Sequence, residues 1–493
     1  MRILLLSMPN TAYLFQHFAV LPNLAICSIA GNIDEGHEVS VADLVLKRRN
    51  FSKFLENRIS NHSPDLVGIS SMSFQSKTAR NIARFIKAID PEIQIALGGY
   101  HASMMPEEVG RSWGNDLDFI IKGEGEQTFR ELIQALDSNK TEFRDIEGLS
   151  FRNNGGEFVH NPWRPLSDLN TLNLPRRDAR LLKKGFHIVG READVVETSR
   201  GCKNTCKYCS INKMYGRNFR PYEIERVLSD IEICRKNGTK SIFFADDNIS
   251  LDAKHFYNLC EGIIERGLND IHYTTQAHVG SLYKNPKLLE KALEANFKTF
   301  FLGIENPYQK KLQTIGKTVT RMDRKAEAVV AQIRGRGAIA IGGFIVGNPD
   351  DSARDFHNIF HYAKQIGVDA PIFFVLTPYP NTRIREILLE KKLVINIDDY
   401  SNYDALSSNI KTAYLSSEEI EILTEYLYDN FRDLNWILNS NIRRVYPWYF
   451  IKLISRFIPL IYLKARYKIK RKNYRDFLRE MAVIKRDFRN LEG

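Results

Sequence analysis

Two series of β-rich runs, each run followed by a helix-like stretch, constrain this 493-residue chain more than any other feature. The first series comprises Ile3 to Met8, "EVSVADL" (38–44), "DLVGISSMS" (65–73), "IQIALGG" (93–99) and "LDFIIKGEGE" (117–126), with helical spacing at 21–33, 51–61, 76–89 and from Gln127. Strands separated by helices of ten to fifteen residues mean βαβ units and a parallel sheet. Residues 147–190 interrupt the pattern with a hairpin closed by Asn-Asn-Gly-Gly and a Pro-punctuated linker. A second series follows at 193–202, 241–247, 270–279, 299–305, 338–347 and 370–380, and six strands each trailed by a helix fit a partial (β/α)6 barrel. From about 400 onward the character is helical, with Ser416 as a cap and Ile420, Leu423, Leu427 and Phe431 on one face. The expected fold is therefore α/β, divided into 1–145, a linker at 146–190, a barrel at 191–400 and a helical, basic region at 401–493.

The apolar fraction of 43% is ordinary, and no uninterrupted apolar run reaches the length of a membrane span. The first residues read as a strand rather than a leader, because no small-residue cleavage site follows them. With six cysteines in so long a chain, a disulfide scaffold is excluded and a cytoplasmic protein with reduced thiols is expected. The net charge of +11 belongs to the tail: residues 441–493 hold fifteen Lys and Arg against four Asp and Glu, and the preceding body is neutral.

Half of the cysteines stand in "TSRGCKNTCKYCSI" (198–211), directly after a strand. A closed zinc site wants four ligands, usually as two pairs, and no second pair exists here. Cys27, Cys234 and Cys260 stand singly in helical patterns and read as small buried hydrophobes. Three thiolates on one loop suit a cubane iron–sulfur cluster with one iron left open for a ligand.

C-x3-C-x2-C with Tyr208 before the last cysteine, at the mouth of a partial barrel, resembles the radical S-adenosylmethionine superfamily. The resemblance implies a 4Fe–4S cluster on Cys202, Cys206 and Cys209 whose open iron binds S-adenosylmethionine and generates a deoxyadenosyl radical. It also implies S-adenosylmethionine contacts from Tyr208, from Asp246 and Asp247 in "FADDNIS", from Gln276, from Glu305 in "LGIEN", and from Gly347 in "GGFIVGNPDDS". "LTPYPNTRI" matches the family's sixth-strand element except that Asn381 replaces Gly, a change that positive φ tolerates. For Asp246 and Asp247 a cap or salt-bridge role stands beside direct contact.

The first domain resembles the cobalamin-binding domain of cobalamin-dependent radical enzymes, through "ALGGYHASMMPEEV" and "DFIIKGEGEQTFREL". The cobalamin contacts so implied are Pro9, Asn10, Ser73, Phe74, Gln75, Gly98, Gly99, His101, Gly123, Glu124 and Gly125, all at strand ends. The Asp-x-His-x-x-Gly motif that carries a lower axial histidine elsewhere is absent, so the corrin is expected to rest on the loop from Met72 to Gln75. His101 is a proposed ligand, with a backbone-bonded turn role as its alternative. A domain that has lost its cofactor is the other reading.

With both cofactors, the implied function is methylation of an unactivated carbon of a small, hydrophobic, lipid-like or polycyclic substrate, with electrons from a flavodoxin- or ferredoxin-type donor. Oxidative cyclisation or ring rearrangement, an RNA-modifying enzyme, and a non-enzymatic carrier are the alternatives. Residues 443–472 mix aromatics, Ile, Leu and basic side chains, which suits either an interfacial segment on the inner face of an anionic membrane or a helical cap with solvated charges. No RNA-binding module is recognisable there.

Overall fold

The computed structural model describes residues 1–11, 18–317 and 322–455. Most of the basic tail, including the end of the 443–472 segment, lies outside the described residues.

In the first half the strands are β1 (Arg2–Ser7), β2 (Glu38–Asp43), β3 (Leu66–Ser70), β4 (Gln94–Gly98) and β5 (Phe119–Ile121), all parallel. The hairpin β6 (Leu149–Arg152) and β7 (Phe158–His160) adds to β5 antiparallel, so it continues this sheet. The spatial order is β2-β1-β3-β4-β5-β6-β7. It is a doubly wound order whose direction switches between β1 and β3, where such sheets place their ligands. Alternation explains why both faces are covered. Leu4, Leu6, Val67, Ile69, Ile95 and Leu97 pack into one core, and Ile3, Leu5, Leu66, Ala96 and Phe119 into the other.

In the second half, β8 (Arg191–Val196), β9 (Ser241–Phe244), β10 (His272–His278), β11 (Phe297–Glu305), β12 (Ile339–Val346) and β13 (Ala370–Val375) run parallel in sequence order. This is the six-stranded partial barrel that the sequence predicts. Several strands stop short of their sequence limits: β5 covers only 119–121, and β13 ends at Val375, where "LTPYP" turns away. Two short strands extend the barrel beyond β8: His187–Ile188, and then Ala19–Val20 from the first half of the chain. The two halves thus share a sheet.

Other ties cross the same boundary. Linker residues Arg177 and Arg180 are buried in ion pairs with Asp230 and Asp194 of the barrel, and Arg180 also donates to Cys27 Sγ at 3.3 Å. Asn381 adopts φ +59° and donates its side-chain amide to Met104 O at 2.6 Å. A glycine there would fit the backbone equally but could not make this bond.

The helix Ser417–Phe431, capped by Ser416, packs over the free edge of the barrel. Tyr428 Oη accepts from Phe373 N at 2.8 Å and lies 3.2 Å from Phe373 O, blunting the edge strand β13. Among the described residues no helix is long and apolar enough to cross a membrane.

Candidate functional site: a cavity between two sheets

The carboxyl ends of both sheets face one cavity of about 830 Å³. Strand alternation decides which barrel residues enter it. Phe243 on β9, Thr274 and Gln276 on β10, Phe301 on β11, Ile341 and Ile345 on β12, and Ile372 and Phe374 on β13 all line it. Gly343 lets the aromatic floor form, since a Cβ there would lie 2.5 Å from the Phe301 ring.

The cysteine loop closes one side. Gly201 before it has φ +87°, and a Cβ would stand 2.4 Å from Asn218 O, so the turn into Cys202 requires glycine. Backbone bonds fasten the loop to the barrel, Lys207 N to Ile315 O and Ile384 N to Lys207 O, each 2.9 Å. Cys202, Cys206 and Cys209 are free, half-buried and all line the cavity. Burial raises all three thiols, Cys209 to about 12. Among the described residues no three His, Cys, Asp or Glu side chains converge on a single-ion site. The triplet therefore does not suit one zinc ion, whereas a cubane offers each sulfur its own iron.

Opposite the loop stands Glu305, at the bulged end of β11, with φ +60°. A buried carboxylate in left-handed backbone is a strained arrangement of the kind that collects at functional sites. Tyr208 Oη donates to Glu305 Oε1 at 3.1 Å, Lys317 forms an ion pair with its other oxygen, and Lys317 Nζ also donates to Gly303 O at 2.9 Å. Burial, then Glu305 beside it, holds the Tyr208 phenol well above its ordinary range.

The neighbouring aspartates part company. Asp247, beyond the end of β9, lines the cavity and accepts from Gly201 N at 3.0 Å; burial raises its carboxyl to about 6. Asp246 points the other way, fully buried, accepting from Thr198 Oγ1 at 2.6 Å and from Ser199. Burial raises it to about 7. Its bonds hold the segment that leads into the cysteine loop. Gly347 has turned off the strand with φ +80°, toward Val375, Ile410 and Ile420, and does not line the cavity.

In the first domain, Met72, Ser73 and Phe74 line the cavity. Gln75 does not; its amide donates to Asn10 O at 2.6 Å and its oxygen accepts from Met72 N at 2.9 Å, joining the loops after β1 and β3. Pro9 O accepts from Arg48 Nε at 3.1 Å. Asn10 Oδ1 and Ser71 Oγ are buried at this switch point with no partner among the described residues. Gly98 closes β4, and Gly99 has φ +94° with room for no Cβ, which would lie 2.6 Å from Ser71 O. His101 is buried against Tyr400, ring centroids 5.5 Å apart, and burial pulls its imidazole down to about 4; it does not line the cavity. Gly123 (φ +72°) donates to Ser103 Oγ at 3.0 Å, Gly125 begins a helix, and Glu124 between them is engaged by Arg200 and Arg220.

Sequence reasoning misses Lys317, Tyr100 and Met104, which line the cavity, and Arg200, which pairs with Glu124 outside it. Nothing marks a lone lysine beforehand. Arg200 carries a signal in hindsight, for an arginine beside a buried loop needs carboxylates and "GEGE" supplies two.

Comparison with known proteins agrees with this layout. The B12 binding domain family matches residues 16–133 and the radical SAM superfamily matches 196–363. A protein of Pyrococcus horikoshii, named as an uncharacterized methyltransferase, is 30% identical over 87% of this chain and 92% of its own. An anaerobic magnesium-protoporphyrin IX monomethyl ester cyclase of Rubrivivax gelatinosus is 24% identical over 77% of this chain and 67% of its own. The structure of TsrM, a radical S-adenosylmethionine methyltransferase from Kitasatospora setae, superposes with a TM-score of 0.66 at 19% identity, covering 79% of this chain and 75% of that one. That likeness carries the fold.

The enzyme's cofactors are cobalamin, S-adenosylmethionine and a 4Fe–4S cluster, and radical enzymes of this kind take a small-molecule substrate and need a reductant. The residues present fit these groups: three thiols on one loop at the cavity, and unpartnered polar atoms on Asn10 and Ser71 at the switch point of the first sheet. The strand order, the cysteine loop and these relatives together place the chain in the family of cobalamin-dependent radical S-adenosylmethionine methyltransferases.

Proposed function

We propose that this enzyme methylates an unactivated carbon of a largely apolar small molecule held in the cavity between its domains. The observation that carries the reading is the composition of that cavity. Phe18, Phe243, Phe301, Ile341, Ile372 and Phe374 line it, and its only lysine or arginine among the described residues, Lys317, is already paired with Glu305. Among the described residues an anionic substrate would find no uncommitted cation there, whereas apolar surface gains roughly 25 cal/mol per Å² on leaving water.

When bound, the cluster with S-adenosylmethionine supplies a carbon-centred radical and cobalamin supplies a methyl group. The chain's own tasks are binding and exclusion. Cys202, Cys206 and Cys209 hold the cluster; Gln276, Asp247, Tyr208 and Glu305 present polar atoms to S-adenosylmethionine. Ser73, Phe74 and the turns at Asn10, Gly99 and Gly123 receive cobalamin from the opposite side. The aromatic floor keeps water away from the reacting carbon. Oxidative cyclisation is the second reading, favoured by the similarity to the cyclase. Product mass separates them: methylation adds one CH2 per turnover, cyclisation removes hydrogen, and consistent loss of hydrogen without CH2 would overturn the first reading.

The described end of the C-terminal region supports a further part of this reading, contact with an anionic membrane surface. Trp448 is 84% exposed and Ile451 59%, one helical turn apart, with Lys452 and Arg444 exposed beside them. Sedimentation with phosphatidylserine vesicles tests it. Partition should fall on Trp448→Ser with Ile451→Ser, and equal partition of variant and parent would remove the idea. A small flavodoxin- or ferredoxin-type protein is the proposed electron donor.

A further inference from the structure

A buried ion cluster joins the two cofactor-bearing loops, and neither loop's own chemistry requires it. Arg200 lies two residues before Cys202, with its side chain only 8% exposed. Its guanidinium meets three carboxylates: Glu124 at 3.1 Å, Glu126 at 2.7 Å and Glu197 at 2.9 Å. Glu124 and Glu126 flank Gly125 in the turn after β5, at the end of the cobalamin-binding sheet. Arg220, paired with Arg200 in a two-stranded ribbon, grips Glu124 from the other side at 2.6 Å and also donates to Ser167 O at 2.6 Å. Ser28 Oγ donates to Glu126 Oε1 at 2.8 Å, and Tyr222 Oη to Glu197 Oε2 at 3.1 Å. Every carboxylate thus has a second partner.

The positions matter more than the charges. Gly123 and Gly201 both stand in left-handed backbone, φ +72° and +87°, so each loop turns on a glycine beside its contact to Arg200. Moving either loop by itself would strand a buried charge.

We propose that Arg200 is a positioning residue that couples the two cofactor sites, so that filling the cluster site orders the Gly123–Gly125 turn and tightens cobalamin binding, and the reverse. Coupling of this kind is reciprocal by linkage and commonly amounts to a factor of about 5 to 150. A ligand that orders a shared element lowers the ordering cost met by the next. The inference rests on the presence of both cofactors, and not on which reaction they perform.

The test is a cobalamin titration, followed by absorbance, of the full-length protein with and without its reconstituted cluster. In the parent the cluster should tighten cobalamin binding by about tenfold. In Glu124→Gln, which keeps the shape but removes the charge, and in Arg200→Lys, which loses the three-way fork, the ratio should fall to about one. Circular dichroism and melting check that each variant is folded. Arg220→Gln, which leaves Arg200 in place, should give an intermediate ratio and serves if the inner variants do not fold. A parent ratio of one, or an undiminished ratio in a folded Glu124→Gln protein, overturns the coupling. Failure to bind cobalamin or the cluster at all would instead overturn the two-cofactor reading.

Discussion

The two sheets meet one cavity with their carboxyl ends, yet they furnish it differently. The barrel contributes single side chains that alternation aims inward: Gln276, Phe301, Glu305, with the cysteines on the loop after β8. The first sheet contributes the turns that follow its strands, through Met72, Ser73, Phe74, Tyr100 and Met104. Gln75 is spent on joining two loops, and Glu124 on holding the other domain. On the proposed function, the barrel side supplies ligands at fixed points and the first sheet a broad surface for a large, flat cofactor. The difference teaches where substitution should be local in effect and where it should spread.

The largest expected effect is on the barrel side. Replacing Cys202, Cys206 and Cys209 by Ala should abolish the cluster signal and deoxyadenosine formation while cobalamin still binds, read by absorbance and electron resonance; a normal cluster in that variant would break the comparison. Next comes Glu305→Gln, which leaves Lys317 buried without its charge partner. Losing one member of a buried pair costs about 3–5 kcal/mol, so the melting temperature should fall clearly. Gly343→Ala pushes a methyl group into the Phe301 ring and should cost about 1–3 kcal/mol by overpacking. The smallest is Asn381→Gly. It keeps the positive φ and loses only the bond to Met104 O, so about 1 kcal/mol is expected by chemical denaturation. Asn381→Ala should cost more, because it adds backbone strain; equal losses for the two would show that the cross-domain bond alone matters.

Legibility in the sequence follows the same division. Each buried strand, β1 to β5 and β8 to β13, was visible as a β-rich run, because packing on both faces forces apolar continuity. The cysteine loop was visible because three thiols at short spacing have few other uses. The split between Asp246 and Asp247 was not legible, because both stand beyond the end of β9 at Phe244, where strand alternation no longer applies. Gly347 likewise stands just beyond the end of β12. The short strand Ala19–Val20 that joins the barrel, and the Arg200 cluster, were not legible. Both depend on how the two halves dock, and no local period encodes a contact between residues 74 or more positions apart.

The central claim is that the cluster and cobalamin face each other across one cavity. Electron resonance on anaerobically reconstituted protein tests it most directly, with the cluster reduced and the cobalamin held as cob(II)alamin, both paramagnetic. The account predicts spin–spin broadening and enhanced relaxation of the cobalt signal, lost when the three cysteines are replaced. Two unperturbed, independent signals in the doubly loaded protein would contradict it.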